Sequence, residues 1–342
     1  MNTKKLFNKI IKIVLPLLLG SAILYWMYRG FDFSSISHVL LHEMNWTWMI
    51  ISLPFGILAQ AFRGWRWRQS LEPIGEHARS SVCVNSIFLS YAVSLLIPRI
   101  GEFARCGVLN RYDKVAFPKA IGTVVTERAV DTLIVILITS IAFVMQIGVF
   151  SNFFSRTGTR IDDFSGMFSA TGWLVTAICG VASLILFYNI LRHLSIYKKV
   201  KEMLSGIWQG ISSLRKVKNI PLFLFYSIAI WGSYFLHYYL TFYCFPSTAH
   251  LGLSCALVSF VVGSIAVPTP NGAGPWHFAV KTMLILYGVA DNQALYFVLI
   301  VHTIQTLLVI LLGIYAWVAL NFTKPYVSLD SPTKLTRPIE NV

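Results

Sequence analysis

Apolar runs of about 17 to 28 residues recur along this chain, the length a helix needs to cross roughly 30 Å of hydrocarbon. Backbone N–H and C=O groups must be satisfied internally in lipid, so runs of this length and character read as helices and exclude open sheets. Hydropathy places full-length spans near 10–28, 45–62, 119–148, 170–191, 220–245 and 293–320. Apolar residues make up 56% of the chain and charged residues only 12%, against roughly a quarter charged in an ordinary soluble domain. The expectation is an all-α, polytopic integral membrane helical bundle. A single transmembrane domain takes up 1–322, with a polar, Pro-containing cytoplasmic tail over 323–342.

Two further apolar stretches are broken in the middle. Residues 81–97 run into Pro98-Arg99-Ile100-Gly101-Glu102-Phe103-Ala104-Arg105 and return to about Leu109. Residues 251–267 run into Pro268-Thr269-Pro270-Asn271-Gly272-Ala273-Gly274-Pro275 and return through 276–289. Broken backbone is tolerated at membrane depth where it is buried in protein or lines a wet cavity, so both stretches read as re-entrant hairpins. With that reading, most of the 28 Lys and Arg fall on one side, including Lys4, Lys5, Lys9 and Lys12, Arg63 to Arg68, and the cluster from Arg192 to Lys218. The excess marks the cytoplasmic side, with both termini on it, in a cytoplasmic (inner) membrane. The N-terminal apolar stretch reads as a retained span, since it ends in Trp26-Met27-Tyr28-Arg29 without a small-residue cleavage site.

The order span, span, hairpin, span over 10–148 recurs over 170–320. An odd number of crossings per half turns the second half upside down, which makes an inverted repeat of the kind transporters use. Between the halves, Val200, Leu204, Ile207, Ile211 and Leu214 recur at helical spacing among cations, as in an interfacial helix or a basic topogenic loop.

The net charge of +14 lies in clusters flanking apolar runs, where it orients the chain and meets anionic headgroups rather than nucleic acid. Cys83, Cys106, Cys179, Cys244 and Cys255 are scattered in or beside apolar runs and read as small hydrophobes. No metal-ligand spacing, phosphate-binding loop or nucleophile elbow is present, so no cofactor or metal is expected.

Ionisable groups at membrane depth are expensive and are candidates for function. The first hairpin carries Arg99, Glu102 and Arg105. In the span 119–148, Glu127, Asp131 and Arg128 fall at about 0°, 40° and 100° around a helix, one polar face that must look into the bundle. Arg128 and Asp131, at i and i+3, could alternatively neutralise each other to pin helices together. The second hairpin offers Gly272 and Gly274 at the break, then His277 and Lys281 on the returning arm, where freed N–H groups and Lys281 suit a phosphate. Arg63-Gly64-Trp65-Arg66-Trp67-Arg68 reads as a set of interface anchors.

In this order, the RGWRWR stretch, Pro98-x-x-Gly101-Glu102-x-x-Arg105 with Leu109, Glu127-Arg128-x-x-Asp131 and the Pro268-x-Pro270-x-Gly272-x-Gly274 turn resemble the transmembrane region of lysylphosphatidylglycerol synthases and its stand-alone, flippase-like relatives. The resemblance covers essentially the whole chain and implies a lipid-translocating membrane domain without the soluble domain that attaches amino acids to phosphatidylglycerol. The family turn usually carries a Glu three positions after its last Gly, where this chain has His277, a departure that favours a more anionic substrate.

The expected function is therefore non-enzymatic: flippase- or scramblase-type movement of an anionic phospholipid or lipid-linked precursor. Arg99, Arg105, Arg128 and Lys281 would neutralise a phosphate, and Glu102, Asp131 and His277 would supply counter-charge or a titratable coupling site. The alternatives are a membrane-embedded enzyme acting on a lipid phosphate or polyprenyl-linked sugar, with Glu102 and His277 as an acid–base pair, or a membrane partner of a separately encoded synthase. Expected partners are anionic membrane lipids and no nucleic acid; a homo-oligomer stays open.

Overall fold

A computed structural model describes residues 18, 20–29, 31, 33–97, 100–146, 217–265 and 272–326. The expected span at 170–191, the amphipathic segment 200–214, the tail beyond residue 326, Pro268 and Pro270, and the candidate residue Arg99 lie outside the described residues. Within them the regular structure is helical throughout, without strands.

Eight principal helices are described: α1 Trp46–Leu71, α2 Ser80–Ser94, α3 Ile100–Asp113, α4 Phe117–Met145, α5 Ile220–Tyr239, α6 Leu253–Ile265, α7 Pro275–Leu286 and α8 Asp291–Asn321. Residues 20–28 form a further helical stretch ahead of them. The starts are chemically marked. Asn45 accepts a hydrogen bond from the Thr47 N–H at 3.0 Å, and Asn219 accepts one from Leu222 at 3.1 Å, so each asparagine satisfies a free donor at a helix start. Pro221 follows Asn219 in the first turn of α5, where a missing N–H does no harm.

The chain from Ile220 to Cys244 and helix α8 are long and apolar enough to cross a membrane, with mean hydropathies of 1.4 and 2.4. Helices α1 and α4, at 26 and 29 residues, reach about 39 and 43 Å at 1.5 Å per residue, but they carry the charged residues described below. On α4 and α8 a row of large apolar side chains faces outward, including Ile136, Leu137, Ile141, Leu307, Leu311 and Ile314. Such a surface suits lipid and would be an aggregation hazard in water.

Helices α2 and α3 pack against each other, as do α6 and α7. None exceeds 15 residues, about 22 Å of rise, so no single arm reaches across 30 Å of hydrocarbon. In the first pair, Gly101 lies so close to α2 that a Cβ there would fall 2.0 Å from the Ser90 carbonyl oxygen. The base of this hairpin is tied by Arg79, whose backbone N–H and Nε donate to the two Asp113 carboxylate oxygens at 2.8 and 2.6 Å. In the second pair the turn passes through Gly272 and Gly274 at φ +70° and +89°, a region that glycine adopts without Cβ strain. A Cβ on Gly274 would also lie 2.5 Å from the carbonyl oxygen of Gly20 in the N-terminal helical stretch. The two hairpins flank α8, and α1 and α5 run together as the most extensively packed pair.

Two apolar clusters each surround one hairpin and draw on both ends of the sequence, the first taking in Leu320 and the second Met27, Val39 and Met49. One gathers Trp67, Leu71, Ile87, Leu109 and Val124 around the first hairpin. The other gathers Tyr238, Phe242, Val280, Leu284 and Phe297 around the second. The site lies between them.

Candidate functional site

Helix α1 reaches the site because Gly64 lets it touch α2: a Cβ at Gly64 would sit 2.7 Å from the Cα of Val84. That contact sinks the last turns of α1 into the bundle and carries Arg63 and Arg66 with them. Both are buried, at 2% and 0% exposure. The Arg63 Nη1 donates to Asp131 at 2.5 Å, and the Arg66 Nη2 donates to the other Asp131 oxygen at 2.7 Å. Asp131 is thus held by a pair of guanidinium groups from one helix face, spaced i and i+3.

One turn earlier on α4, Glu127 is completely buried and lies 2.9 Å from the Arg105 Nη1 and 3.6 Å from the Arg66 Nε. Arg105 itself stacks over the Trp67 ring at 4.5 Å, and Trp67 Nε1–H donates to Thr123 Oγ1 at 2.9 Å. A buried charge is tolerable when paired, and here Asp131 is paired and hydrogen-bonded, whereas Glu127 is held by ion pairing without a hydrogen bond. Arg63, Arg66, Arg105, Glu127 and Asp131 therefore form a locked core.

Arg128 and Glu102 differ. They pair at 2.8 Å, yet their side chains are 46% and 32% exposed. Arg128 and Asp131 do form the i, i+3 ion pair, but at 3.9 Å it is longer than the contacts of Asp131 with two other arginines and of Arg128 with Glu102. Arg63 and Arg128 line a cavity of about 340 Å³. Its other walls include Tyr91 and Tyr234, whose hydroxyls are hydrogen-bonded at 2.9 Å, with Trp231 and Trp276. Trp276 and Gly263 bring the second hairpin to the same cavity.

The charges of this cluster do not cancel. Four guanidinium groups (Arg63, Arg66, Arg105 and Arg128) meet three carboxylates (Glu102, Glu127 and Asp131), which leaves one positive charge among the described residues. The cation with the most exposure is Arg128, at the cavity.

The second hairpin's candidates lie elsewhere. His277 is buried at 4% exposure, 4.3 Å from the His302 ring and edge-on to Tyr28 at 6.3 Å. Lys281 forms an ion pair with Asp291 at 2.8 Å, at the α7–α8 end, rather than standing free above the turn. Gly272 and Gly274 shape that turn. Glu102 and His277, the pair an acid–base mechanism would use, sit in separate clusters. Among the described residues no group of His, Cys, Asp and Glu is placed to hold a metal ion.

Arg63 and Arg66 were missed by sequence reasoning. Arginine next to tryptophan at the end of an apolar run has the composition of an interface anchor, and Arg68 is exposed in that way. The available signal was the i, i+3 spacing of Arg63 and Arg66 together with the glycine between them.

A family model described as the lysylphosphatidylglycerol synthase TM region matches residues 13–313. The chain belongs to that family. It is a membrane protein with transmembrane helices, of a family linked to lipid modification or translocation. Neither the curated proteins nor the solved structures gave a match.

Proposed function

We propose that this chain moves an anionic phospholipid or lipid-linked precursor between membrane leaflets, as a flippase or scramblase and without altering it chemically. The observation that carries the reading is the uncancelled charge of the buried cluster, presented to an aromatic-walled cavity through Arg128. A phosphodiester arriving there brings the one negative charge the cluster lacks. Guanidinium recognises phosphate oxygens with directional, charge-assisted bonds, so Arg128 can exchange Glu102 for the headgroup at little net electrostatic change. The acyl or prenyl chains stay in the lipid that the outward-facing apolar rows contact.

In this reading the paired short helices are re-entrant hairpins entering from opposite faces, and the six full spans and two hairpins form an inverted repeat. Their tips meet near the midplane, where broken helices build transporter sites. The protein sits in the cytoplasmic membrane with both termini inside, as the distribution of Lys and Arg favours. Arg99, beside the first break, joins Arg128 in receiving the phosphate.

Purified protein in liposomes tests the proposal. Fluorescently labelled phosphatidylglycerol should redistribute between leaflets and be recovered unchanged. Recovery of a covalently altered lipid would instead support a membrane-embedded enzyme, and equal redistribution in protein-free liposomes would remove the proposal.

A further inference from the structure

We propose that His277 is a proton-binding site and that the lipid crosses together with a proton; this rests on the translocation proposed above. The buried polar atoms without a hydrogen-bond partner include His277 Nδ1 and the Tyr28 hydroxyl. His277 is buried, and the Tyr28 ring faces it edge-on at 6.3 Å. A buried donor or acceptor left unmade is costly, and it is usually retained for a ligand, a water or a proton. Histidine is the side chain suited to take up and release a proton near neutral pH. An uncommitted ring nitrogen leaves it able to do so.

The surroundings fit a proton rather than a metal or an anion. His302 faces His277 from α8, Tyr28 from the N-terminal helical stretch and Trp276 from α7 itself. Helix α6 packs on the same arm, and its one titratable group, Cys255, lies in the apolar cluster with Val280 and Leu284. Lys281, one turn along α7, is paired with Asp291. No carboxylate contact to His277 is seen among the described residues, so an added proton would carry an uncompensated charge until an anion comes near.

Trp276 connects this group to the cavity. Its ring lies 5.5 Å from His277 and 5.1 Å from His302, and it also forms part of the cavity wall beside Gly263. An anionic headgroup in the cavity that Arg128 lines therefore shares the Trp276 wall with the imidazole, in a setting where salt screens weakly. The headgroup favours protonation of His277 and the protonated imidazole favours the headgroup, a reciprocal linkage. The proton adds to a ring nitrogen from one side of the membrane and leaves the same nitrogen to the other; no other bond changes. One proton per monoanionic lipid makes the crossing electroneutral.

Two measurements test this on the full-length protein. In weakly buffered detergent solution, added phosphatidylglycerol should draw close to one proton per protein from solution, read with a pH-sensitive dye. His277→Gln and His277→Asn, each checked for a wild-type-like thermal melt, should draw none. In liposomes, a one-unit pH gradient should concentrate labelled phosphatidylglycerol about tenfold in the leaflet facing the alkaline side, for one proton per lipid. Either variant should bring that ratio to near one. Proton uptake as large in both variants as in the unaltered protein overturns the assignment. Lipid redistribution that ignores the gradient overturns the coupling and leaves translocation standing. Lipid-linked proton uptake through His277 without any redistribution supports the proton site and removes the translocation reading. Neither uptake nor redistribution overturns both.

Discussion

Asp131 and Arg128 lie three residues apart on one helix, and replacing each should have different consequences for stability. In Asp131→Asn, Arg63 and Arg66 keep their burial, at 2% and 0% exposure, but lose the carboxylate they contact at 2.5 and 2.7 Å. Glu127, 3.6 Å from Arg66, is already shared with Arg105 and compensates poorly. Leaving a buried charge without its partner destabilises by roughly 3–5 kcal/mol. Arg128→Gln removes a half-exposed pair with Glu102, an interaction worth only about 0.2–1 kcal/mol. Asp131 keeps its two principal partners in that variant. Membrane abundance and thermal stability in detergent, measured beside lipid redistribution, separate the two. Asp131→Asn should lose protein and activity together, whereas Arg128→Gln should keep near-normal stability and lose transport. Equal destabilisation of the two variants would refute the division into a locked core and an available arginine.

Gly101→Ala should prevent normal closure of the first hairpin, since its Cβ would fall 2.0 Å from a backbone oxygen; overpacking of this kind costs about 1–3 kcal/mol or more, and a detergent melt should show it. Outside the bundle, the Lys119 ammonium at 2.7 Å, helped by the Ala116 N–H, holds the Glu76 carboxyl below the usual carboxylate range. Its contribution to stability is therefore full above the unfolded value of about 4.3 and is lost as pH falls through the lower folded value. Thermal melts taken from about pH 6 down to about pH 3 should show a smaller acid loss in Glu76→Gln than in the unaltered protein. For topology, cysteines placed singly in a Cys-free background and probed in intact cells with an impermeant reagent should react at 155–165 and stay silent at 205–215; the reverse pattern would refute the orientation.

Much of the helical layout is legible in the sequence, because length, hydropathy and the Pro-Gly breaks are local signals. Most described helices begin and end near the expected limits, but α1 runs on to Leu71, past the expected end at 62, and that extension carries Arg63 and Arg66. The break after residue 97 and the glycine turn before Pro275 each divide a pair of short, mutually packed helices. The shared face of Glu127 and Asp131 was legible as well, since helical geometry alone puts them about 40° apart. What each charge pairs with was not. Arg128 turns to Glu102 on another helix, and Lys281 turns to Asp291 on the next. Arg63 and Arg66 become interior residues only because Gly64 allows α2 to approach and α4 presents two acids opposite them. Likewise, His277 gains its significance from Tyr28 and His302, which are remote in sequence. These pairings are set by tertiary approach, to which hydropathy and periodicity are blind.

Headgroup selectivity tests the central claim most directly. Liposomes containing the purified protein should redistribute labelled phosphatidylglycerol faster than labelled phosphatidylcholine, and Arg128→Gln should abolish that preference while the protein stays folded. Equal rates for the two lipids in the unaltered protein, or a preference that survives in Arg128→Gln, would contradict the account.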